Sequence, residues 1–160
     1  MENETAPATI YLDADACPVK DLVFRTAVRY GIPVKVVANV PLRIPADAES
    51  LARSIVVPGS PDAADDWIAE HATATDIVLT ADIPLAARAL AVGAMCIDFR
   101  GNHFNPNRIG EALAGRELNN MLRQMGEITG GPSAFTKKDR SNFASALDAA
   151  ANKLARRRPA

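Results

Sequence analysis

Short apolar runs alternate with segments of helical periodicity along most of the chain. Five mainly apolar runs of four to six residues, several rich in β-branched side chains, predict β-strands. The predicted strands cover residues 9–12, 33–38, 54–57, 76–80 and 94–97. Apolar residues at helical spacing predict helices at residues 19–30, 61–72, 83–92 and 138–156, and from Asn105 or Asn107 to about residue 125.

Proline, serine and glycine mark the ends of several of these helices. Pro18 suits the first turn of the helix near residue 19, and Gly31 follows its last turn. Ser60 is expected to cap the next helix, and Gly93 to end the one after it. The proline-containing stretch 39–48 and the glycine-rich stretch 126–136 are predicted to be loops.

The alternation of strands and helices predicts the α/β class. Near-continuous apolar strands separated by helices indicate a central, mostly parallel five-stranded sheet covered on both faces, with extra helices after residue 98. The chain shows no internal repeat and no long linker. We therefore expect one domain over residues 9–155, a flexible N-terminal tail at 1–8 and a C-terminal tail at 156–160.

Composition supports a globular protein with one sizeable core. Of 160 residues, 48% are apolar, which argues against disorder. Thirty alanines and only eight aromatic residues favour closely packed helices over large aromatic fillings. No apolar run approaches the roughly 18–20 residues of a membrane span. The two cysteines, Cys17 and Cys96, form neither a disulfide framework nor a zinc motif. We therefore expect a cytoplasmic protein with no membrane partner.

Charge is divided unevenly along the chain although the formal net charge is only −1. That total excludes a polybasic nucleic-acid-binding arm. Residues 1–98 contain 14 acidic and 7 basic side chains, whereas residues 99–160 contain 5 acidic and 11 basic ones. The first part of the chain thus has an excess of acidic side chains and the second part an excess of basic ones, and each group suggests a separate chemical role.

The acidic side chains fall where predicted strands end. In an open parallel sheet, ligands bind outside the carboxyl ends of the strands. The aspartates expected at this edge are Asp13, Asp15, Asp62, Asp65, Asp66, Asp82 and Asp98. Clustered carboxylates repel one another, and oxygen-only ligands suit Mg²⁺ or Mn²⁺. Such ions activate water for phosphodiester hydrolysis, so the pattern predicts a metal site.

A purely structural role is the alternative for each of these aspartates taken alone. Aspartate is a common N-cap and turn residue, and negative charge is favoured at helix N-termini. Asp62 has the position of a first-turn acid, and Asp76 precedes its strand, which places it in a turn at the opposite edge. Asp13 and Asp82 follow buried strands directly and are the strongest candidates for chemistry.

Other catalytic classes fit the spacing less well. The pair Asp13 and Asp15 also begins the active site of haloacid-dehalogenase-type phosphatases, but the later Gly-Asp-x-x-x-Asp element does not occur. Cys17 lacks the Cys-x5-Arg spacing of a cysteine phosphatase and is expected to be a small helix-entry residue. The glycines at 126–131 do not continue as a P-loop. His71 and His103 share no ligand spacing and are expected to be surface or capping residues.

Basic residues after position 98 supply candidate phosphate contacts. Arg100 follows the last strand, and Lys137, Lys138 and Arg140 follow a Gly-Gly-Pro turn. The expected partner is RNA or a phosphate-containing small molecule. A non-catalytic RNA- or nucleotide-binding module is therefore an alternative to an enzyme. Few aromatic side chains are available for base stacking, and Trp67 is expected to be a core residue.

Several long motifs make the chain recognisable. They are Tyr-Leu-Asp-Ala-Asp-Ala-Cys-Pro-Val-Lys at 11–20, Pro-Asp-Ala-Ala-Asp-Asp-Trp-Ile at 61–68, Val-Leu-Thr-Ala-Asp-Ile-Pro-Leu-Ala at 78–86, Arg-Gly-Asn-His-Phe at 100–104, Ile-Gly-Glu-Ala-Leu-Ala at 109–114 and Gly-Gly-Pro-Ser-Ala-Phe-Thr-Lys-Lys-Asp-Arg at 130–140. From about residue 10 to residue 154 the chain closely resembles the YaiI/YqxD family of small bacterial proteins.

The resemblance implies a three-layer PIN-like fold, which is similar to that of metal-dependent ribonucleases. It implies that Asp13 is the first acid of the PIN pattern, Asp65 or Asp66 the helix-borne second, and Asp82 the acid after the threonine-containing strand, with Asp15 and Asp98 as weaker metal ligands. The Asp-x-Asp-Ala-Cys-Pro turn departs from the ordinary PIN opening. We expect a Mg²⁺- or Mn²⁺-dependent nuclease, with the binding module and the phosphatase as alternatives.

Overall fold

Five short strands form one sheet in the computed structural model, which describes residues 8–15, 17–60, 62–124 and 134–156, without the side chains of 116–124. The strands are β1 (Ile10–Asp13), β2 (Val34–Ala38), β3 (Ala52–Val56), β4 (Ile77–Leu79) and β5 (Met95–Ile97). Every strand pair is parallel, so the predicted, mostly parallel sheet is confirmed and is parallel throughout.

Helices connect the strands in the predicted alternation. They are α1 (Lys20–Tyr30), α2 (Ala63–His71), α3 (Ile83–Ala91), α4 (Pro106–Gln124) and α5 (Lys137–Arg156), with a 3₁₀ turn at Ala46–Ala48. Gly31 ends α1 in the left-handed conformation at φ 65°, where glycine has no steric penalty. Asn105 caps α4, because its Oδ1 accepts a hydrogen bond from the Arg108 amide at 2.8 Å.

Two predicted boundaries are wrong by two residues. Strand β3 begins at Ala52 instead of residue 54, because its pairing with β2 begins at Val34 opposite Ala52. Helix α2 begins at Ala63, and Asp62 instead of Ser60 is its N-cap residue. Ser60 contributes a backbone carbonyl, which accepts from the Ala63 amide at 3.2 Å, and this turn displaces the helix start.

The strand order β3-β2-β1-β4-β5 places β1 in the centre of the sheet. From β1 the chain proceeds outward through β2 to β3, then crosses back to β4 on the other side of β1 and ends at β5. Helix α1 lies on one face and α3 on the other, as right-handed crossovers in opposite directions require. The strand order therefore reverses between β1 and β4, whose carboxyl ends form a topological switch point.

Hydrophobic residues from alternate positions of each strand enter two cores, one on each face of the sheet. Ile10 and Leu12 of β1 face the core that includes α1 and α5. Tyr11 faces the core that includes α2, α3 and the start of α4. Among the described residues, thirteen of those buried in the cores are alanines, in keeping with the close helix packing expected from composition.

The α/β class with helices on both faces of a parallel sheet is confirmed, and the arrangement is consistent with a three-layer PIN-like fold. Most of the two predicted tails and most of the predicted glycine-rich loop lie outside the described residues. In the part of the chain that the structure covers, no helix combines the length and apolar character needed to cross a lipid bilayer.

Candidate active site

A cleft of about 350 Å³ opens at the switch point between β1 and β4. Four carboxylates line it, those of Asp13, Asp15, Asp65 and Asp82. The other lining residues are Ala64, Ala81 and Phe99. The small alanine side chains leave the carboxylates accessible, and all four carboxylates lie at or after the carboxyl end of a strand.

Asp13 is the last residue of β1 and is half-buried. Its Oδ2 accepts a hydrogen bond of 2.7 Å from the hydroxyl of Thr80, a fully buried residue directly after β4. Burial raises the pKa of Asp13, the Thr80 hydrogen bond opposes that rise, and the charges of Asp82 and Asp15 add to it. The carboxylate is held in one orientation but is strained electrostatically.

Asp82 combines a helix-capping role with its place in the cleft. Its Oδ1 accepts from the Leu85 amide at 2.9 Å and so caps α3, and its own amide donates to the Thr80 hydroxyl at 2.9 Å. Asp82 therefore has the helix-capping role that was the structural alternative for it. Its Oδ2 accepts no hydrogen bond from any described residue.

Asp65 and Asp15 complete the acidic wall. Asp65 stands in the first turn of α2, and desolvation raises its pKa to about 6, with the charges of Asp82 and Asp13 as the next causes. A carboxyl group with this pKa exchanges its proton near neutral pH. Asp15 is exposed, and its Oδ1 accepts a 3.3 Å hydrogen bond from the Asn39 amide, which ties the cleft to the loop after β2.

The donor set consists of carboxylate oxygens, the ligands that Mg²⁺ and Mn²⁺ prefer. Among the described residues, no group of three or more His, Cys, Asp or Glu side chains is arranged to hold a metal ion as it stands. The cleft thus presents separated carboxylates and not a closed coordination cage.

Two of the predicted metal ligands lie outside the cleft lining. Asp66 forms an exposed ion pair with Arg88 of α3 at 2.7 Å and is not among the residues that line the cleft. Asp98 is buried, and its Oδ1 accepts from the amides of Arg100 and Asn102 at 2.9 Å. Its Oδ2 pairs with Arg108 at 2.5 Å, so Asp98 organises the turn after β5.

Asp62 and Asp76 lie outside the cleft lining, and Asp62 precedes the first turn of α2 in which it was expected. Asp62 is the N-cap residue of α2, without a side-chain capping bond. Asp76 is buried at the opposite edge of the sheet, where its carboxylate accepts from the Thr9 and Thr73 amides at 2.9 and 2.7 Å. These contacts confirm Asp76 as a turn residue.

The predicted phosphate-binding residues gather around the start of α5. Arg100 donates to Asp139 at 2.6 Å, and its guanidinium lies 5.8 Å from the Phe135 ring centre. Arg140 forms two hydrogen bonds to Asp21 of α1, at 3.1 and 2.5 Å. Lys137 and Lys138 are exposed, and neither has a bonded partner among the described residues. The two arginines are engaged within the fold, and the two lysines are accessible.

The cysteines and histidines contribute no catalytic constellation. Cys17 is buried at the entry to α1, as predicted, and burial raises the pKa of its thiol to about 11. Burial raises the pKa of Cys96 to about 12. His71 is exposed and its Nδ1 donates to the Trp67 carbonyl at 2.7 Å, while His103 is exposed beside β5. Thiolate chemistry is therefore disfavoured at either cysteine.

Thr80 is the residue that the sequence interpretation missed. Its hydroxyl joins Asp13 to the backbone of Asp82, and Phe99 closes the cleft beside them. The available indication was a hydroxyl residue at the end of an apolar strand, two positions before a candidate aspartate. The bond to Asp13 could not be inferred, because it depends on β1 lying next to β4.

Comparison with known proteins identifies the family of the chain. A sequence profile described as an uncharacterized bacterial YaiI/YqxD family matches residues 11–153, which include all four cleft carboxylates. The chain belongs to the YaiI/YqxD family. It is 51% identical over 156 residues to a UPF0178 protein of Rhodopseudomonas palustris strain HaA2, covering 98% of this chain and 94% of that one.

Further relatives have nearly the same length. A UPF0178 protein of Bradyrhizobium is 49% identical over 160 residues, which are 100% of this chain and 96% of the relative. A UPF0178 protein of Brucella suis is 51% identical over 98% of this chain and 96% of its own length. The resemblance to the YaiI/YqxD family inferred from motifs is thus confirmed along almost the whole chain.

Proposed function

We propose that this YaiI/YqxD-family protein is a Mg²⁺- or Mn²⁺-dependent phosphodiesterase that hydrolyses RNA. The observation that carries the proposal is the convergence of Asp13, Asp15, Asp65 and Asp82 in one cleft at the switch point of the sheet. Ligands of open parallel sheets bind at this place, and a concentration of negative charge there favours a cation.

The chemistry of the donor set supports a hydrated divalent ion. Mg²⁺ keeps several waters and is usually bound through one or two carboxylates together with substrate phosphates, so a cage of three protein ligands is not required. Asp13 and Asp82 each use one oxygen in the fold and keep the other free of hydrogen bonds to described residues. Bound there, the ion would lower the pKa of a water and offset phosphate charge.

Asp65 is suited to move a proton. In the metal-free cleft its pKa is raised to about 6, chiefly by desolvation, so its carboxylate is a better proton acceptor for an attacking water than an ordinary aspartate. Thr80 keeps Asp13 oriented through its 2.7 Å hydrogen bond, and capping of α3 fixes Asp82. The three acids therefore have different roles, since Asp13 and Asp82 bind the cation and Asp65 accepts the proton.

The metal can be tested by thermal unfolding with and without millimolar Mn²⁺. A ligand that binds only the folded state raises the melting temperature, and Asp13→Asn is expected to remove that rise. Asp47→Asn, in the exposed 3₁₀ turn, is the matched control and should keep it. Asp66→Asn should also keep it, because Asp66 faces Arg88. No rise for the wild-type protein would count against the site.

Cleavage of fluorescent single-stranded RNA then tests the reaction. Activity should require Mn²⁺ or Mg²⁺ and should fall steeply in Asp65→Asn, while that variant retains the Mn²⁺-dependent rise in melting temperature. Phosphate release from a phosphomonoester, with trapping of a phosphorylated Asp13, would instead indicate the haloacid-dehalogenase-like reaction.

A non-catalytic RNA- or nucleotide-binding module is the second candidate. Lys137 and Lys138 at the start of α5 favour it, because both are exposed and have no bonded partner among the described residues. This module would bind RNA in a salt-sensitive way, lose affinity in Lys137→Ala/Lys138→Ala, and cleave nothing with any metal. The wild-type cleavage assay with Mn²⁺ decides between the two functions.

A further inference from the structure

The strand register aligns one aromatic and two cationic residues across the sheet. Tyr11 of β1 pairs with Lys35 of β2, and Lys35 pairs with Arg53 of β3. Paired residues of neighbouring parallel strands project from the same face and are about 4.8 Å apart. Tyr11, Lys35 and Arg53 therefore form a row on the face that α2 covers only in part.

Two like charges side by side on a sheet are destabilising without a counter-charge. Neither Lys35 nor Arg53 forms an ion pair or a hydrogen bond with any residue in the described ranges. Arg53 is exposed and Lys35 is half-buried. The fold thus places two adjacent cations on this face, and no described carboxylate lies within ion-pair distance of either.

Aromatic rings from α2 border the cations. The rings of Trp67 and His71 are stacked, with centres 3.8 Å apart and planes inclined by 14°. The Trp67 ring lies 6.0 Å from that of Tyr11, and the Lys35 ammonium lies 5.8 Å from the Trp67 ring centre. Trp67, predicted to be a core residue, is only half-buried, and His71, whose ring stacks on it, is exposed.

Hydrogen bonds keep this aromatic group in place before any ligand arrives. The Tyr11 hydroxyl donates to the His71 carbonyl at 3.2 Å, and His71 Nδ1 donates to the Trp67 carbonyl at 2.7 Å. A rigid stacking surface costs little entropy on binding. Cations for a phosphate backbone beside rings for bases are the two elements by which proteins bind single strands.

We propose that Lys35, Arg53, Trp67 and His71, supported by the buried Tyr11, form a binding surface for single-stranded RNA. Lys35 and Arg53 contact backbone phosphates, and the Trp67–His71 pair stacks with an unpaired base. A duplex would present no free base for stacking, and an acidic peptide would make no use of the rings.

The surface adjoins the acidic cleft. Asp13 follows Tyr11 by two residues on β1, so the two side chains project from the same face of the sheet. Delivery of a bound strand to the cleft is a step that rests on the proposed function. Binding to the surface itself does not require cleavage.

Binding is measured in EDTA, with no metal present, so that it is separated from catalysis. Trp67 is the only tryptophan in the chain, and its fluorescence should change on titration with an RNA single strand of about 12 nucleotides. Arg53→Ala should lower the slope of log affinity against log salt by about 0.7. His71→Ala should weaken binding by roughly fivefold or more.

Arg25→Ala is the matched control, since Arg25 is an exposed arginine on α1, on the opposite face of the sheet. Equal effects of Arg53→Ala and Arg25→Ala, no change in Trp67 fluorescence, or equal affinity for an acidic peptide would overturn the proposal. Melting curves of each variant confirm that it is folded.

The two proposals can fail separately. If Arg53→Ala and His71→Ala lose RNA binding in EDTA but the wild-type protein cleaves nothing with Mn²⁺, the surface stands and the nuclease function falls. If metal-dependent cleavage occurs and these variants bind and cleave like the wild type, the surface is wrong and the nuclease function stands.

Discussion

The hydroxyl of Thr80 donates a 2.7 Å hydrogen bond to Oδ2 of Asp13, across 67 positions of the sequence. The same hydroxyl oxygen accepts a hydrogen bond from the Asp82 amide at 2.9 Å. One buried side chain therefore connects the carboxyl ends of β1 and β4 at the point where the strand order reverses. At the base of the cleft, the neutral Thr80 hydroxyl and the Asp13 carboxylate hold the two strand ends together.

Replacing Thr80 with valine keeps the shape of the side chain but removes both hydrogen bonds. Because the Asp82 amide and the Asp13 carboxylate would each lose a partner, we expect the free energy of unfolding to fall by about 1–3 kcal/mol. The pKa of Asp13 should rise further, since the Thr80 bond lowers it. Urea denaturation measures the first effect, and Thr80→Ser should restore most of the lost stability. A stable valine variant would show that the bond contributes little.

The raised pKa of Asp65 makes stability depend on pH. The folded protein keeps the Asp65 proton up to about pH 6, whereas an ordinary aspartate loses it near 3.8, so ionisation of Asp65 costs stability as pH rises between these values. Asp65→Asn removes that cost. We expect little difference from wild type below pH 4 and a gain of about 1 kcal/mol above pH 6.5, after allowance for solvent screening.

Urea denaturation at several pH values checks this prediction. Asp47→Asn in the exposed 3₁₀ turn should show no such gain. An Asp65→Asn variant whose stability follows that of the wild type across the whole pH range would contradict electrostatic strain in the cleft.

Gly101 permits α5 to approach the turn after β5. Its φ is 89°, and a Cβ atom there would lie 2.5 Å from the carbonyl carbon and oxygen of Asn142. In Gly101→Ala, the alanine would have to adopt a left-handed backbone conformation, and its Cβ would clash with the backbone of α5. We expect the free energy of unfolding to fall by more than about 2 kcal/mol. Gly110→Ala in α4 meets nothing within 4 Å and should stabilise by up to about 1 kcal/mol. Thermal unfolding of the two variants should show shifts of opposite sign.

Asp98 should matter for stability and not for metal binding. Arg108→Met leaves the buried Asp98 carboxylate without its ion-pair partner, and we expect a loss of about 2 kcal/mol. The double variant Asp98→Asn/Arg108→Met should recover part of it. Asp98→Asn should keep the Mn²⁺-induced rise in melting temperature. If a folded Asp98→Asn protein lost that rise, Asp98 would be a metal ligand after all.

The periodicity of apolar residues was sufficient to predict which segments form strands and helices, but not where each begins and ends. The strand at β3 was predicted two residues late, because the apolar character of Ile55 and Val56 is local, whereas the strand begins where Ala52 pairs with Val34. The edge position of Asp13 followed from its place after an apolar run, and the structure puts it in the cleft with Asp82. Asp66 and Asp98 had equally suitable positions in the sequence, but ion pairs with arginines from other elements engage them.

Local patterns in the chain were enough to predict the α/β class from periodicity and the family from motifs. The direction of parallel strands also predicted that acids after strands lie at one edge of the sheet. Which acids meet was settled by the three-dimensional fold. The central place of β1, next to β4, depends on hydrogen bonds between distant segments, and no local pattern encodes such pairing. That pairing brings Asp13, Thr80 and Asp82 together, and burial in the resulting cleft shifts the pKa of Asp13 and Asp65.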